Sequence, residues 1–313
     1  SREPGADKMN RVNRTAALVM TLLFSTAFQQ QRSPLESLRA RIEALTRSVS
    51  AKWGIYVKSL ETGEEIAINA DEQMDTMSVI KIPLMVEAYR QAADGSFKLS
   101  DMHALKDDEK QPGTGILQRW AAGTALSWKD IIDLMIIVSD NTATDLVYEK
   151  VGGPGAVNKL MASYGFDKIK ATGRAADWFK ALRERNDAAA FHREAAHPFG
   201  LSTPRQMGLL LEKIAKGEAV SKEASEQMLR HMRGQLYASR IPRYLSFTSF
   251  SPRPPHKTGD FLPYIGNDVG ILEAGGKRVI VSIFTANHFG NGTVLEEAIG
   301  RITQLVADYF GNR

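Results

Sequence analysis

The spacing of apolar positions changes along the chain, and each change indicates a different secondary structure. Between Pro34 and Ser50 apolar residues recur every three or four positions among Arg and Glu, which predicts an amphipathic helix. The next segments, WGIYVKSL (Trp53 to Leu60) and IAINA (Ile66 to Ala70), are short β-type runs on either side of Gly63. They predict two strands joined as a hairpin.

Helical patterns dominate from Met77 to about Gly217. In LSWKDIIDLMIIVSDN, Ser127 is a candidate N-cap, and Asp130 three residues later completes a variant of the capping box. The next helix, in TATDLVYEKVGG, ends at a Gly pair, after which Pro154 can begin another helix.

Strand patterns return towards the C-terminus in NDVGILEAGGKRVIVSIFT, and TVLEEAIGRITQLVADYF predicts a closing amphipathic helix. The economical fold is α/β (α+β), with one antiparallel sheet built from both chain ends, flanking helices and an inserted all-helical lobe. We expect residues 28–74 and 218–313 to form the sheet domain and residues 75–217 the lobe. A cleft should lie where the two meet.

The N-terminus has the pattern of a secretory signal peptide. Two arginines follow Met9, the segment Ala16 to Phe24 is apolar, and small residues precede and include Ala27. The alternative is a membrane anchor, but the apolar run is well short of the roughly 20 residues that a bilayer span requires. We interpret residues 1–27 as upstream residues plus a cleavable signal peptide (Met9 to Ala27), and expect a secreted, periplasmic protein without stable membrane insertion.

Composition argues against several function classes. With 43% hydrophobic and 24% charged residues the chain is of globular type, and part of its net charge of +4 lies in residues 1–27, so nothing favours nucleic-acid binding. The absence of cysteine excludes disulfides and thiol chemistry. There is no Walker A loop, Rossmann fingerprint or His-Glu-x-x-His motif, so we expect no metal and no cofactor.

The segment TMSVIKIPL places Ser78 three residues before Lys81. Such a match alone is weak, since roughly one is expected by chance in a chain of this length. Its place at the start of a helix is more informative, because unpaired N–H groups and the helix dipole favour a developing negative charge there. Lys81 lies on the same helical face and could act as a base if burial and a second cation lower its pKa.

Two further motifs each have a structural and a chemical interpretation. In SDN, Ser139 could relay a proton and Asn141 could hold a substrate amide, or the motif could simply be a loop that caps the next helix. In HKTG, Lys257 and Thr258 could bind a substrate carboxylate, and Gly259 could let substrate backbone lie close. Alone, the second motif is more often an exposed turn.

In this order the three motifs are those of class A β-lactamases and penicillin-binding proteins. The chain resembles a class A β-lactamase-type serine hydrolase over nearly all of its length after residue 27, in TMSVIKIPLMVEAYRQ, GTGILQRW, LMIIVSDNTATDLVYEKVGG, LSTPRQMGLLLEKI and PHKTGDF. The resemblance implies a β-lactamase/transpeptidase-like fold and β-lactam antibiotics as small-molecule substrates. We expect a monomer.

The resemblance also implies a role for each motif residue. Ser78 is the nucleophile that becomes acylated, and Lys81 is a candidate base for that step. Ser139 passes a proton to the leaving lactam nitrogen, and Asn141 contacts the acylamino side chain of the substrate.

The strand motif provides the implied substrate-binding groups. Lys257 and Thr258 face the substrate carboxylate, and Gly259 lies beside the substrate backbone. Backbone N–H groups of Ser78 and Asp260 form the oxyanion hole, worth about 3 kcal/mol per donor. The carboxylate-binding arginine often found in the family is left open among Arg233, Arg240, Arg243 and Arg253.

The resemblance fails between Gly165 and Pro204, where the family usually carries Glu-x-x-Leu-Asn. The glutamate of that motif activates the water that hydrolyses the acyl-enzyme, and no such motif occurs here. Candidate replacements are Asp177, Glu184 and Glu194, although each could instead be a solvated carboxylate on a helix surface. Without such a base, which contributes about 10²- to 10⁴-fold, we expect ready acylation and slow release.

Three functions therefore stay open at this level. The first is an exported β-lactam hydrolase working through acyl-Ser78. The second keeps the acylating groups but acts on a D-alanyl peptide or an ester. Absence of the Glu-x-x-Leu-Asn motif favours it, because such enzymes do not need that glutamate. The third is a non-catalytic binding protein, against which the intact Ser78, Lys81, Ser139 and Lys257 argue.

Overall fold

The computed structural model describes residues 33–194, 197–246 and 253–312. The chain divides into two compact units, residues 1–37 and Leu38–Arg313. The predicted signal peptide lies outside the described residues. Within the described ranges no helix is both long and apolar enough to cross a membrane.

The α-helices of the described chain alternate with short connections and are numbered in chain order. They are α1 (Pro34–Ser48), α2 (Lys81–Ala93), α3 (Trp128–Ile137), α4 (Asn141–Val151), α5 (Pro154–Ser163), α6 (Ala175–Arg185), α7 (Ala188–Glu194), α8 (Pro204–Ala215), α9 (Lys222–Arg233) and α10 (Gly292–Gly311). Short 3₁₀ turns cover Met77–Ile80, Asp107–Glu109 and Leu117–Arg119.

The strands form one large sheet and two small ones. They are β1 (Lys52–Ser59), β2 (Glu65–Ile68), β3 (Met74–Asp75), β4 (Met102–Ala104), β5 (Ala125–Ser127), β6 (Lys170–Ala171), β7 (Gly200–Ser202), β8 (His256–Phe261), β9 (Ile265–Ala274) and β10 (Lys277–Ala286).

The large sheet confirms that both chain ends build a single antiparallel layer. Its order is β2-β1-β10-β9-β8, with Ile55 of β1 opposite Ile283 of β10 and Lys257 of β8 opposite Val269 of β9. Helices α8 and α10 pack on this sheet, and α2, α3, α4 and α9 pack on one another. The predicted fold class is therefore confirmed, while the exact domain boundaries stay a prediction.

Local sequence signals set the ends of several elements. The hairpin of β1 and β2 turns at Gly63, whose φ of +74° is in the left-handed region that favours glycine. At the start of α3, Ser127 Oγ accepts a hydrogen bond from Asp130 N at 3.1 Å, and the Asp130 carboxylate accepts one from Ser127 N at 3.2 Å, as predicted. Helix α4 ends at Gly152 with φ of +89°.

A small sheet in the order β3-β7-β6 has no counterpart in the sequence predictions. It pairs Met74 with Ser202 and Asp75 with Leu201. Strands of two or three residues are too short to show a period of two, so sequence patterns do not reveal them. This pairing ties the segment before Ser78 to the end of the loop that lacks the expected glutamate.

Candidate active site

Ser78 lies in the 3₁₀ turn Met77–Ile80, which replaces the first turn of the α-helix expected from Met77. Asp75 Oδ1 accepts a hydrogen bond from Met77 N at 2.8 Å, and Asp75 Oδ2 accepts one from Phe199 N at 3.3 Å. Met77 has φ of +46°, which is uncommon for a residue with a side chain. Although part of Asp75 is accessible, desolvation raises its pKa to about 7.

Helix α2 begins directly after this turn, with Lys81 in its first position. Lys81 N donates to the carbonyls of Ser78 and Val79, so the 3₁₀ turn runs into the α-helix without a break. Pro83 has no N–H with which to bond Val79 O, which is consistent with the tighter turn. Ser78 is half-buried here, whereas Lys81 is fully buried.

Gly259 allows strand β8 to approach the turn that carries Ser78. A Cβ atom at this position would lie 2.4 Å from Thr76 O and 3.1 Å from Ser78 N. No side chain fits at such distances, so glycine is required for packing of the protein's own backbone. The sequence analysis explained Gly259 by the need for substrate backbone to lie close to it. The structure shows that backbone of the protein itself, at Thr76 and Ser78, lies next to Gly259.

Lys81 is held by three oxygen atoms of the SDN motif. Its Nζ lies 2.7 Å from Ser139 O, 3.1 Å from Ser139 Oγ and 3.0 Å from Asn141 Oδ1. Burial, followed by the nearby positive charge of Lys257, lowers the pKa of Lys81 well below its usual value. The condition that the sequence set for a lysine base is therefore met.

Lys257 reaches the same hydroxyl from strand β8. Its Nζ lies 3.0 Å from Ser139 Oγ and 2.8 Å from Thr258 O. Burial lowers the pKa of Lys257 to about 7, in part opposed by Asp260 and Asp268. Near neutral pH this lysine therefore exchanges its proton easily.

Asp140 gives the SDN motif its structural role, while its two neighbours face the lysines. The Asp140 carboxylate accepts hydrogen bonds from Ala143 N at 2.9 Å, as N-cap of α4, and from Ile116 N at 2.6 Å. Ser139 has φ of +53°, a strained conformation maintained by these contacts. The structural interpretation of SDN therefore holds for Asp140, whereas Ser139 and Asn141 contact Lys81.

The end of β8 carries the remaining predicted binding groups. Thr258 Oγ1 is buried and has no hydrogen-bond partner among the described residues. The side chain of Asp260 forms an ion pair with Nη2 of Arg240. Arg240 is only 2% exposed and also contacts Glu296 at 3.1 Å.

The other three candidate arginines have different surroundings. Arg233 pairs with Glu273 at 2.7 Å and donates to the backbone carbonyl of Arg253. Arg243 Nε donates to Tyr244 OH at 3.2 Å. Through its ion pair with Asp260, the side chain of Arg240 contacts the residue directly after the Lys-Thr-Gly sequence.

The segment that lacks the family glutamate folds as α6 and α7 around Trp178. The indole of Trp178 lies 5.1 Å from the rings of Phe179 and Phe261 and 5.4 Å from that of Phe191, measured between centroids. Phe199 completes this aromatic cluster at 5.9 Å, and its ring is 6.0 Å from Lys81 Nζ. The neighbourhood of Lys81 on this side is therefore apolar.

Of the three candidate deacylation bases, two are exposed. Asp177 has a side chain 62% exposed that pairs with Arg174, and Glu184 is 67% exposed beside Lys180. In the part of the chain that is described, neither carboxylate contacts Lys81 or Lys257. The side chain of Glu194 lies outside the described residues, so the deacylation base stays an open prediction.

Asp145 is a buried carboxylate near the site that sequence reasoning missed. It accepts hydrogen bonds from Ala175 N at 2.7 Å and Ala176 N at 2.9 Å, and thereby fixes the start of α6. Burial raises the pKa of Asp145. The charge of Asp145 partly opposes the lowering of the Lys81 pKa by burial and by Lys257. A signal was available, because Asp145 follows Asn141 by four residues and so lies on the same face of α4.

Comparison with known proteins agrees with this geometry. The model of the Beta-lactamase2 family, described as a beta-lactamase enzyme family, matches residues 37–310. Beta-lactamase VEB-1 of Pseudomonas aeruginosa is 22% identical over 97% of this chain and 100% of its own length. The solved beta-lactamase of Sphaerobacter thermophilus is 28% identical, with a TM-score of 0.73 over 89% of this chain and 97% of that one.

A solved PBP-A mutant in an acyl-enzyme complex with penicillin G shares the fold, with a TM-score of 0.76 over 89% of this chain and 98% of that one at 22% identity. The predicted β-lactamase/transpeptidase-like fold is therefore confirmed. Because the family model spans nearly the whole described chain, this protein belongs to the beta-lactamase enzyme family and is a serine hydrolase acting on β-lactams.

Proposed function

We propose that the protein opens the β-lactam amide through an acyl intermediate on Ser78, with Lys81 as the base and Ser139 as the proton carrier. One observation carries this assignment of roles. The Ser139 hydroxyl lies 3.1 Å from Lys81 Nζ and 3.0 Å from Lys257 Nζ, in the cluster that adjoins the turn of Ser78. Two lysines on one hydroxyl form a short path for protons.

The hydrogen bonds of Lys81 favour its action as a base. A neutral amine has two N–H donors and one lone pair. Ser139 O and Asn141 Oδ1 can only accept, so they take up the two donors. The lone pair is left to accept a hydroxyl proton, from Ser139 in the contacts described here and from Ser78 in the proposed first step.

The reaction then proceeds with a balanced movement of protons. Ser78 Oγ attacks the lactam carbonyl carbon while its proton passes to Lys81, and the carbonyl oxygen becomes the oxyanion. Collapse of this intermediate breaks the C–N bond. Ser139 delivers its hydroxyl proton to the leaving nitrogen and recovers one from Lys81, so that Lys81 is neutral again after acylation.

The second half of the reaction should be slow. The ring of Phe199 lies 6.0 Å from Lys81 Nζ, so this side of the lysine is apolar. The carboxylate of Asp145 is occupied by hydrogen bonds from Ala175 N and Ala176 N at the start of α6. Asp177 and Glu184 are exposed on α6. These observations support an acyl-enzyme that accumulates because little general-base help reaches the hydrolytic water.

We propose that the protein is exported to the periplasm and acts there as a monomer. The motif from Met9 to Ala27 supports export with cleavage. Mass spectrometry of protein recovered from a periplasmic extract should show loss of residues 1–27. Light scattering of the mature protein should give the mass of one chain.

The experiment that tests the function combines turnover with intact-protein mass spectrometry. With a chromogenic cephalosporin, the wild type should show a burst of one equivalent, followed by slow steady cleavage and an adduct on Ser78. Ser78→Ala should abolish both. Absence of any adduct on the pure wild-type protein would reject the proposal, and a permanent adduct with hydrolysis of a D-alanyl peptide would favour a peptidase.

A further inference from the structure

The carboxylate of Asp260 contacts a guanidinium that is otherwise enclosed by protein. Arg240 donates to Asn267 O at 2.9 Å and pairs with Glu296 at 3.1 Å, and its remaining charged partner is Asp260. Asp260 is 33% exposed, against 2% for Arg240. Asp260 is thus the partner of Arg240 that faces solvent most.

The charges around this pair are unfavourable for a further anion. Asp268 is fully buried one strand away, opposite Thr258, and its Oδ2 accepts a hydrogen bond from Ile241 N at 3.0 Å. The guanidinium of Arg240 therefore contacts Asp260 and Glu296 and also feels the negative charge of Asp268. Lys257 offers only partial compensation at neutral pH, because burial lowers its pKa to about 7.

The same strand nevertheless retains groups for a neutral acceptor. Thr258 is 1% exposed, and its buried Oγ1 has no partner among the described residues, so a ligand oxygen could accept its hydrogen bond. Tyr237 is 40% exposed, and the burial of the rest of its side chain, followed by the charge of Asp260, raises the pKa of its phenol. A hydrogen-bond donor and an aromatic surface are thus present for a ligand, but the positive charge of Arg240 is already neutralised by Asp260 and Glu296.

We propose that Asp260 is a specificity-determining residue whose carboxylate occupies the place beside Arg240 that a substrate carboxylate would take, so that the site favours lactams that are neutral at this position. The inference rests on the proposed acylation of Ser78. A substrate carboxylate must either displace Asp260 or lie next to it, and such a like-charge arrangement is a common means of rejecting a ligand.

Paired substrates that differ only in this charge test the inference. Benzylpenicillin and its methyl ester are compared through the second-order rate of adduct formation on Ser78, by mass spectrometry, at pH 7.5. The wild type should acylate faster with the ester. Asp260→Asn and Asp260→Ser should each raise the acid-to-ester rate ratio by about tenfold or more, since one removed like charge is worth about 1.4 kcal/mol.

A matched control is available at Asp71, which shares Arg205 with Glu65 in the same two-carboxylate arrangement outside the site. Asp71→Asn should leave the acid-to-ester ratio unchanged. If both Asp260 variants acylate but keep the wild-type ratio, the role of Asp260 is wrong and the proposed function stands. If neither compound labels wild-type Ser78, the proposed function fails, and this inference fails with it.

Discussion

Lys81 and Lys257 contact one hydroxyl, that of Ser139, at 3.1 and 3.0 Å, although they belong to a helix of the lobe and to an edge strand of the sheet. Two positive charges that both contact one hydroxyl inside the protein would repel each other strongly. Burial lowers the pKa of both lysines, that of Lys257 to about 7, and the nearby charge of Lys257 lowers that of Lys81 further. Both lysines therefore give up a proton more readily than an exposed lysine does.

Removal of the proposed base should slow acylation far more than it affects folding. Lys81→Met keeps a long side chain in the buried space but has no proton acceptor, so we expect acylation to fall by about 10²- to 10⁴-fold. The burst rate with a chromogenic cephalosporin measures this change. Lys98→Met, at an exposed lysine, serves as control and should keep the wild-type rate. A Lys81→Met burst as fast as that of wild type would exclude Lys81 as the base.

The lowered pKa of Lys257 should make stability depend on pH in a defined direction. Between its folded pKa of about 7 and its usual value of 10.5, the unfolded chain binds the extra proton. The free energy of unfolding should therefore rise with pH from 7 to 9, by up to about 1.4 kcal/mol per pH unit from this group. Urea denaturation at pH 7, 8 and 9 should show a shallower rise for Lys257→Met, and parallel curves for the two proteins would contradict this.

Gly259 should not tolerate even one additional methyl group. In Gly259→Ala the Cβ would lie 2.4 Å from Thr76 O, so β8 and the Ser78 turn must move apart. Because small misplacements of reacting groups are costly, we expect acylation to fall by about 10²-fold. Gly155→Ala is the matched control, since its Cβ meets nothing within 4 Å and its backbone is helical. Equal loss in both variants would point to a general effect on folding.

The exposed carboxylates of α6 should be dispensable for release of the acyl group. Asp177→Asn and Glu184→Gln should change steady-state turnover by less than about twofold, as expected of surface substitutions. The rate of loss of the Ser78 adduct, followed by mass spectrometry, measures this. Glu194→Gln belongs in the same series, because a large decrease there alone would identify Glu194 as the base.

The aromatic cluster should contribute most of the stability of the α6–α7 segment. Trp178→Ala removes ring contacts to Phe179, Phe191, Phe199 and Phe261, and large-to-small changes of this kind typically cost about 3–5 kcal/mol. Trp120→Ala, at a more exposed tryptophan, should cost about 0.5 kcal/mol or less. Thermal unfolding of both variants measures the difference, and similar losses would contradict the central position of Trp178.

The main elements follow from sequence where the determining interaction is local. Apolar periodicity predicted α1, the hairpin of β1 and β2, and α10, because burial of one face requires that spacing. The cap formed by Ser127 and Asp130 joins residues only three positions apart. The 3₁₀ turn at Ser78 was not foreseen, since Asp75, Phe199 and Gly259 fix it from three different parts of the chain.

The sequence by itself determined which residues we expect to carry the chemistry, because Ser78, Lys81, Ser139 and Lys257 occur in three recognisable motifs in one order. Only the tertiary structure decided how they act together. The shared hydroxyl, the amides held by Asp145 and the pair of Asp260 with Arg240 join residues that are distant in the chain. Their pKa values and charges depend on burial and on neighbours in space, and no local pattern of residue types records either.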